Sequence, residues 1–175
     1  MQKEEQVNWG YGTVYLSFVP AEELAKLGDI QPTTSHCFPL KDNDVLFTVN
    51  PRGLDIIGGH VEKGETGEEA LMREAMEEGC IVPKVYTLVG AIRVDNRDYA
   101  QLAQAKGYPV VGYQLIYAVT EYEEQPFVVT HECVAREYVP VAEVKERHHA
   151  WLGVHEQALQ EALKYAPQKR SQHKP

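Results

Sequence analysis

Cysteine is scarce in this chain: Cys37, Cys80 and Cys133 are its only three in 175 residues. They are odd in number, widely spaced and form no CxxC pair, which argues against a disulfide framework and a zinc ribbon and leaves them as small buried hydrophobes. Long apolar runs are missing too, so no membrane-spanning helix is expected. The opening Met1–Gln6 is acidic, unlike a secretory leader with its basic start and apolar middle. The expectation is a cytoplasmic protein without membrane contact. Basic residues are in deficit, 17 Lys and Arg against 26 Asp and Glu, for a formal charge of −9. Surfaces that track nucleic acid neutralise phosphates with clustered Lys and Arg, so a nucleic-acid partner is not expected. No internal repeat or low-complexity tract is visible. The 43% apolar content is enough for one domain with a sizeable core.

The informative stretch is GGHVEKGETGEEALMREAMEEGCI, Gly58 to Ile81, in which a glycine-rich turn precedes a helical pattern. Thr66 followed three residues later by Glu69 predicts a capping box and a helix over about residues 67–78. Leu71, Met72 and Ala75 share a flank suited to a core. Residues three and four apart on a helix are neighbours, so Glu74, Glu77 and Glu78 converge, and each like-charge pair costs about 0.2–0.5 kcal/mol. Arg73 is the one cation beside them. Oxygen donors without histidine or cysteine suit a hard divalent ion, magnesium first and manganese second. Because magnesium usually bridges to substrate phosphates, the cluster points to a phosphate-bearing ligand.

Gly59, five residues, Glu65, seven residues, then Arg73-Glu74-Ala75-Met76-Glu77-Glu78 resembles the signature of the Nudix hydrolases. The resemblance implies an α/β/α sandwich with a mixed sheet and a loop-helix-loop catalytic motif. It also implies hydrolysis of a diphosphate linking a nucleoside to another group: a nucleoside triphosphate, a dinucleoside polyphosphate, ADP-ribose or a nucleotide sugar. Carried over by position, Gly58 through its carbonyl, Glu77 and Glu78 become metal ligands. Glu74 becomes a ligand or the general base, Arg73 orients the carboxylates, and Glu65 supports them. Some members take the base from a downstream loop, for which Glu132 is the candidate here. The family pattern places glycine at the position of Cys80, whereas this chain has it one earlier, at Gly79, which is expected to end the helix slightly early. A catalytically silent nucleotide-binding or regulatory module is the alternative reading, and the family allows a homodimer.

Strand-like runs fall at Thr13–Val19, Val45–Val49, Leu54–Ile57, Val85–Val94, Val110–Thr120 and Val134–Val139. Helical spacing falls at Ala21–Leu27, Asp98–Lys106, Val141–Arg147 and His155–Tyr165. Residues 1–34 read as an accessory strand and helix packed on the core, 35–165 as the catalytic domain, and 166–175 as a frayed tail. Arg93 and Tyr99 border a polar segment between two strands and are candidates for binding the nucleotide. The stretch HHAWLGVH, residues 148–155, matches no metal-ligand spacing and is read as a helix junction.

Overall fold

The computed structural model describes residues 3–167, so most of the expected tail, residues 168–175, lies outside the described residues. Nine strands form a mixed sheet: β1 (Glu5–Asn8), β2 (Thr13–Pro20), β3 (Pro32–Lys41), β4 (Asp44–Asn50), β5 (Gly53–Asp55), β6 (Ile57–His60), β7 (Ile81–Asp95), β8 (Val111–Glu124) and β9 (Ala135–Pro140). Their order is β1-β2-β7-β8-β3-β4-β5, with β6 also paired to β3 and β9 to β4. Among the strand pairs described, β3 and β8 run parallel and the rest antiparallel, and an isolated parallel bridge joins Leu54 to His148. The helices are α1 (Ala21–Leu24), α2 (Gly67–Gly79), α3 (Ala100–Ala105), α4 (Val144–Arg147) and α5 (Gly153–Leu163), with 3₁₀ turns extending or leading into α1, α3 and α4.

A strand's side chains alternate between faces, and here both faces are buried. In β8, Ile116 and Ala118 join one apolar cluster with Phe38 and Phe47, whereas Leu115, Tyr117 and Val119 join another with Cys37 and Leu46. The first cluster is closed by Ala158, Leu159 and Ala162 of α5, the second by Leu71 and Ala75 of α2 together with Leu24 of α1. Helices on both faces of a mixed sheet make the α/β/α sandwich.

Two strands were absent from the sequence reading. β1 is a four-residue edge strand paired only with β2. β3 carries Pro32 and Pro39 and four consecutive polar residues, Thr33 to His36, a composition that normally demotes a strand. Pro39 is tolerated because it lies where pairing with β6 has ended at Cys37 and pairing with β4 has not begun at Leu40, so its missing N–H removes no ladder bond on that side. The run Leu54–Ile57 is broken at Ile56 into β5 and β6. The boundary read between residues 34 and 35 falls inside β3.

The exit of α2 also differs from expectation. The helix runs through Gly79, and Cys80 takes the left-handed conformation at φ 48° and ψ 47°. Gly79 lies against Ile57, whose Cδ1 would be 2.8 Å from any Cβ there, so packing reserves the glycine. Arg136 of β9 donates through Nη1 to the carbonyl oxygens of Gly79 and Cys80, at 2.9 and 2.8 Å. These bonds satisfy helix-end acceptors and offset the ~1–2 kcal/mol that a left-handed non-glycine residue costs.

Candidate active site

The capping box forms as read: Thr66 Oγ1 accepts from the Glu69 N–H at 3.2 Å, and Glu69 Oε2 accepts from the Thr66 N–H at 2.7 Å. The start of α2 is tied to the sheet by the Ser35 hydroxyl, which donates to the Gly67 carbonyl at 2.6 Å. From this fixed start the helix brings Arg73, Glu74, Glu77 and Glu78 beside β6.

Arg73 organises the cluster. Its Nε and Nη2 clasp Glu65 in a bidentate pair, both at 2.9 Å, Nη2 also reaches the His60 carbonyl at 2.8 Å, and Nη1 bonds Glu74 at 2.7 Å and Glu77 at 3.2 Å. A planar five-donor guanidinium fits this demand, and a lysine would not. The bond to Glu65, ahead of that to Glu74, holds Arg73 above its ordinary range, and the same bond holds Glu65 below its own.

Glu74 is 9% exposed and turned into the protein rather than out along an acidic face. Burial raises its carboxyl, against the lowering effect of Arg73. Glu78 accepts from the Gly58 N–H at 2.9 Å. Burial pushes Glu78 up to about 7, with Glu74, Asp55 and Glu132 adding to the rise. Glu77 stays largely in solvent. Gly59 is the floor of the site: a Cβ there would stand 2.3 Å from Glu74 Oε1. Met72, read as core, lies half-buried at the edge of the buried face, which is formed by Ala70, Leu71 and Ala75.

The other candidates are placed less centrally. Glu132 is on the loop before β9, its side chain 75% exposed and 3.6 Å from His131; its link to the cluster is the charge it adds near Glu78. Arg93 is engaged by Asp95 at 2.8 Å within an ion cluster that includes Arg97 and Glu4. Tyr99 lies over Gly12, where a Cβ would be 1.6 Å from its ring, and meets Tyr11 edge-on.

A cavity of about 200 Å³ adjoins the site through His60, whose carbonyl Arg73 holds. Trp9, Tyr11, Tyr108 and His60 give it aromatic walls, and Asn96 and Gln114 give it carboxamides. The Tyr108 hydroxyl is 3.3 Å from His60 Nε2. Tyr108, not Tyr99, is the tyrosine that the segment between β7 and β8 presents to this cavity; ten tyrosines with no distinguishing spacing gave the sequence reading no means to choose.

A second cavity, of about 310 Å³, shares Trp9 and Gln114 with the first and contains His36, Asp55, His148, His149 and His155. From sequence His148, His149 and His155 read as part of a helix junction, and His36 carries no signal. Among the described residues, Asp55, His148 and His149 are the trio whose donor atoms all lie within 4.8 Å of one another. Glu74, Glu77 and Glu78 are not such a trio: Arg73 Nη1 bonds the first two, and the Gly58 N–H holds the third.

The sequence profile of the NUDIX domain matches residues 30–160. The chain belongs to the Nudix family. A segment of 63 residues is 51% identical to an ADP-ribose pyrophosphatase of Methanocaldococcus jannaschii, covering 33% of this Nudix chain and 37% of that protein. The pyrophosphohydrolase BsRppH of Bacillus subtilis, solved as an E68A mutant, superposes with a TM-score of 0.60 at 19% identity, over 91% of this chain and 96% of that one. The Nudix domain of Shewanella oneidensis NrtR, solved with ADP ribose, gives a TM-score of 0.55 at 18% identity, over 83% and 97%. These two likenesses are of Nudix fold.

Proposed function

We propose that the chain is a divalent-metal-dependent hydrolase that opens the diphosphate of a nucleoside diphosphate joined to a second group, with ADP-ribose the first substrate to test. One observation carries the reading: a buried Glu74 is held between Gly59 and Arg73, next to Glu77 and Glu78, in a like-charge cluster whose one cation among the described residues is Arg73. Such a cluster is destabilising by itself and fits an all-oxygen site for a hard cation. Glu77, Glu78 and the Gly58 carbonyl are the residues that would hold magnesium, or manganese, which leaves Glu74 as the base. Bound there, the ion supplies charge neutralisation on diphosphate oxygens and a more acidic water.

The protein's own residues do the positioning. The aromatic cavity beside His60 receives base and ribose, which places the diphosphate along β6 and the face of α2. Water's oxygen bonds to one phosphorus, the bridging P–O bond breaks with its electron pair on the departing phosphate, and the water proton passes to a carboxylate. Glu74, desolvated and held by Arg73, is the proposed acceptor, with Glu132 second because it stands in solvent. Glu65 acts through Arg73. Substrate choice draws on the Methanocaldococcus relative, although its match spans only 37% of that protein. A module that binds without turnover has no need to maintain a repulsive carboxylate cluster, which favours the enzyme.

The test is phosphoanhydride cleavage across ADP-ribose, nucleoside triphosphates, dinucleoside polyphosphates and nucleotide sugars, with magnesium, with manganese and with a chelator. Metal-dependent turnover of one member supports the hydrolase and names its second group. Saturable binding of folded protein to ADP-ribose without turnover of any member overturns it in favour of the binding module.

A further inference from the structure

The second cavity holds a constellation that the proposed reaction does not use. Asp55, at the end of β5, faces two consecutive histidines from the segment that follows α4: His148 Nε2 is 3.3 Å from Asp55 Oδ1, and His149 Nε2 is 3.3 Å from Asp55 Oδ2. The imidazoles stack with centroids 4.9 Å apart, presenting both nitrogens to one carboxylate. The His148 side chain is 3% exposed, and its Nε2 has no well-aligned hydrogen-bond partner despite its nearness to Asp55. His36 Nδ1, buried in the same cavity, has none either.

We infer that Asp55, His148 and His149 form a binding site for a zinc-class transition ion, separate from the glutamate cluster on α2. Imidazole nitrogen with one carboxylate suits zinc and its neighbours, whereas the all-oxygen cluster suits magnesium. Each N···O separation of 3.3 Å is close to that of two donors held at about 2.0–2.1 Å on one tetrahedral ion. Supporting bonds orient the carboxylate, as outer partners do at metal centres: Asn50 donates to Oδ2 at 2.9 Å and the Ile56 N–H to Oδ1 at 2.9 Å. Three protein donors leave one position of a four-coordinate ion facing the cavity for an exchangeable oxygen ligand.

Two features set the terms of binding. Arg52, 3.2 Å from Asp55 Oδ2 and mostly exposed, is the cation an incoming ion displaces. The Ala150 N–H donates to His148 Nδ1 at 3.0 Å, which places the proton of neutral His148 on Nε2. Ligation moves that proton to Nδ1 and exchanges one loop hydrogen bond for a metal–nitrogen bond. The sequence hides the site because its ligands are more than ninety positions apart and its adjacent histidines fit no ligand spacing.

The experiment is titration of the chelator-treated full chain with Co2+, read by the visible ligand-field bands of a four-coordinate ion, followed by displacement with Zn2+. One equivalent is expected to give these bands, in the presence of excess Mg2+ and in Glu77→Gln. His149→Ala and Asp55→Asn are each expected to weaken binding by at least about 100-fold, the upper end of the cost of losing even a supporting partner. Arg52→Ala is expected to strengthen it. His149→Ala is the decisive variant, since its partly exposed ring can be removed without opening the core; far-UV circular dichroism checks that it folds. Absence of the bands overturns the assignment. So do bands that survive in folded His149→Ala or vanish in Glu77→Gln, which would place the ion on α2. Neither result bears on the hydrolase reading, which the magnesium-dependent assay decides.

Discussion

Gly59→Ala tests whether the position of one buried carboxylate controls turnover. Gly59 lies in β6 without a positive φ, so alanine fits its backbone, and the whole effect of the new methyl falls on what it touches. The added Cβ would stand 2.3, 2.5 and 2.7 Å from Glu74 Oε1, Cδ and Oε2, against an ordinary contact of 3.4 Å or more. Glu74 must therefore retreat by roughly 1 Å, a misplacement that costs about 100-fold in rate, or ~2.7 kcal/mol in the barrier. Stability should change far less. The carboxylate is the movable end of a side chain, and alanine restricts the unfolded chain, so a net change within about 1 kcal/mol, or ~2–4 °C in Tm, is expected. Initial rates on ADP-ribose with magnesium, or on whichever substrate proves active, and a thermal melt on the same preparation make the comparison. A kcat within threefold of wild type at unchanged Tm would refute the placement of Glu74 in the reaction.

Glu77→Gln removes a largely exposed carboxylate, so kcat should fall by at least ~100-fold with Tm unchanged; near-normal turnover would remove Glu77 from the metal set. Glu132→Gln should leave kcat within a few-fold of wild type, and a loss as large as that of Glu77→Gln would transfer the base to the loop. Tyr108→Ala should raise KM about tenfold by removing a cavity wall, whereas Tyr99→Ala should lower Tm and leave KM unchanged; the reverse pattern would return substrate contact to Tyr99. Asp95 is buried, which alone would raise its carboxyl, but bonds from Arg93 and then Arg97 outweigh burial and hold it below the usual range. A depressed folded value stabilises the protein above the unfolded pKa of about 3.9 and loses that contribution as pH falls through the folded value. Thermal melts from pH 6 to pH 2 should therefore show a shallower acid decline in Asp95→Asn than in wild type.

What the sequence made legible was local. The capping box, the helix from residue 67 and the placement of Arg73 beside Glu74 and Glu77 follow from spacing within one element and form as read, whereas Glu78 does not converge on them but is held by the Gly58 N–H. Glu74's burial was legible but not read: it lies three and four positions from Leu71 and Ala70 on the buried face of α2, and the close approach of Gly59 on β6 leaves room for its carboxylate there. Cys80 was misjudged for a different reason. Local propensity favours a left-handed glycine, but contact with Ile57 and the bonds from Arg136 come from elsewhere in the chain. β3 shows the limit most clearly, because its prolines and polar residues oppose a strand and only partners on both sides make it one.

That strand also sets the timing of the molecule's assembly. α2 starts with a cap built from neighbours, and such contacts form in about a microsecond. β3, which fastens the helix start through Ser35 and aligns β6 against it, pairs with β8 across a separation of about eighty positions, a closure that contact order makes slow. A 13-residue helix carrying a like-charge cluster is marginal by itself, so α2 is expected to persist only once β3 closes against it, with helix and floor completed together.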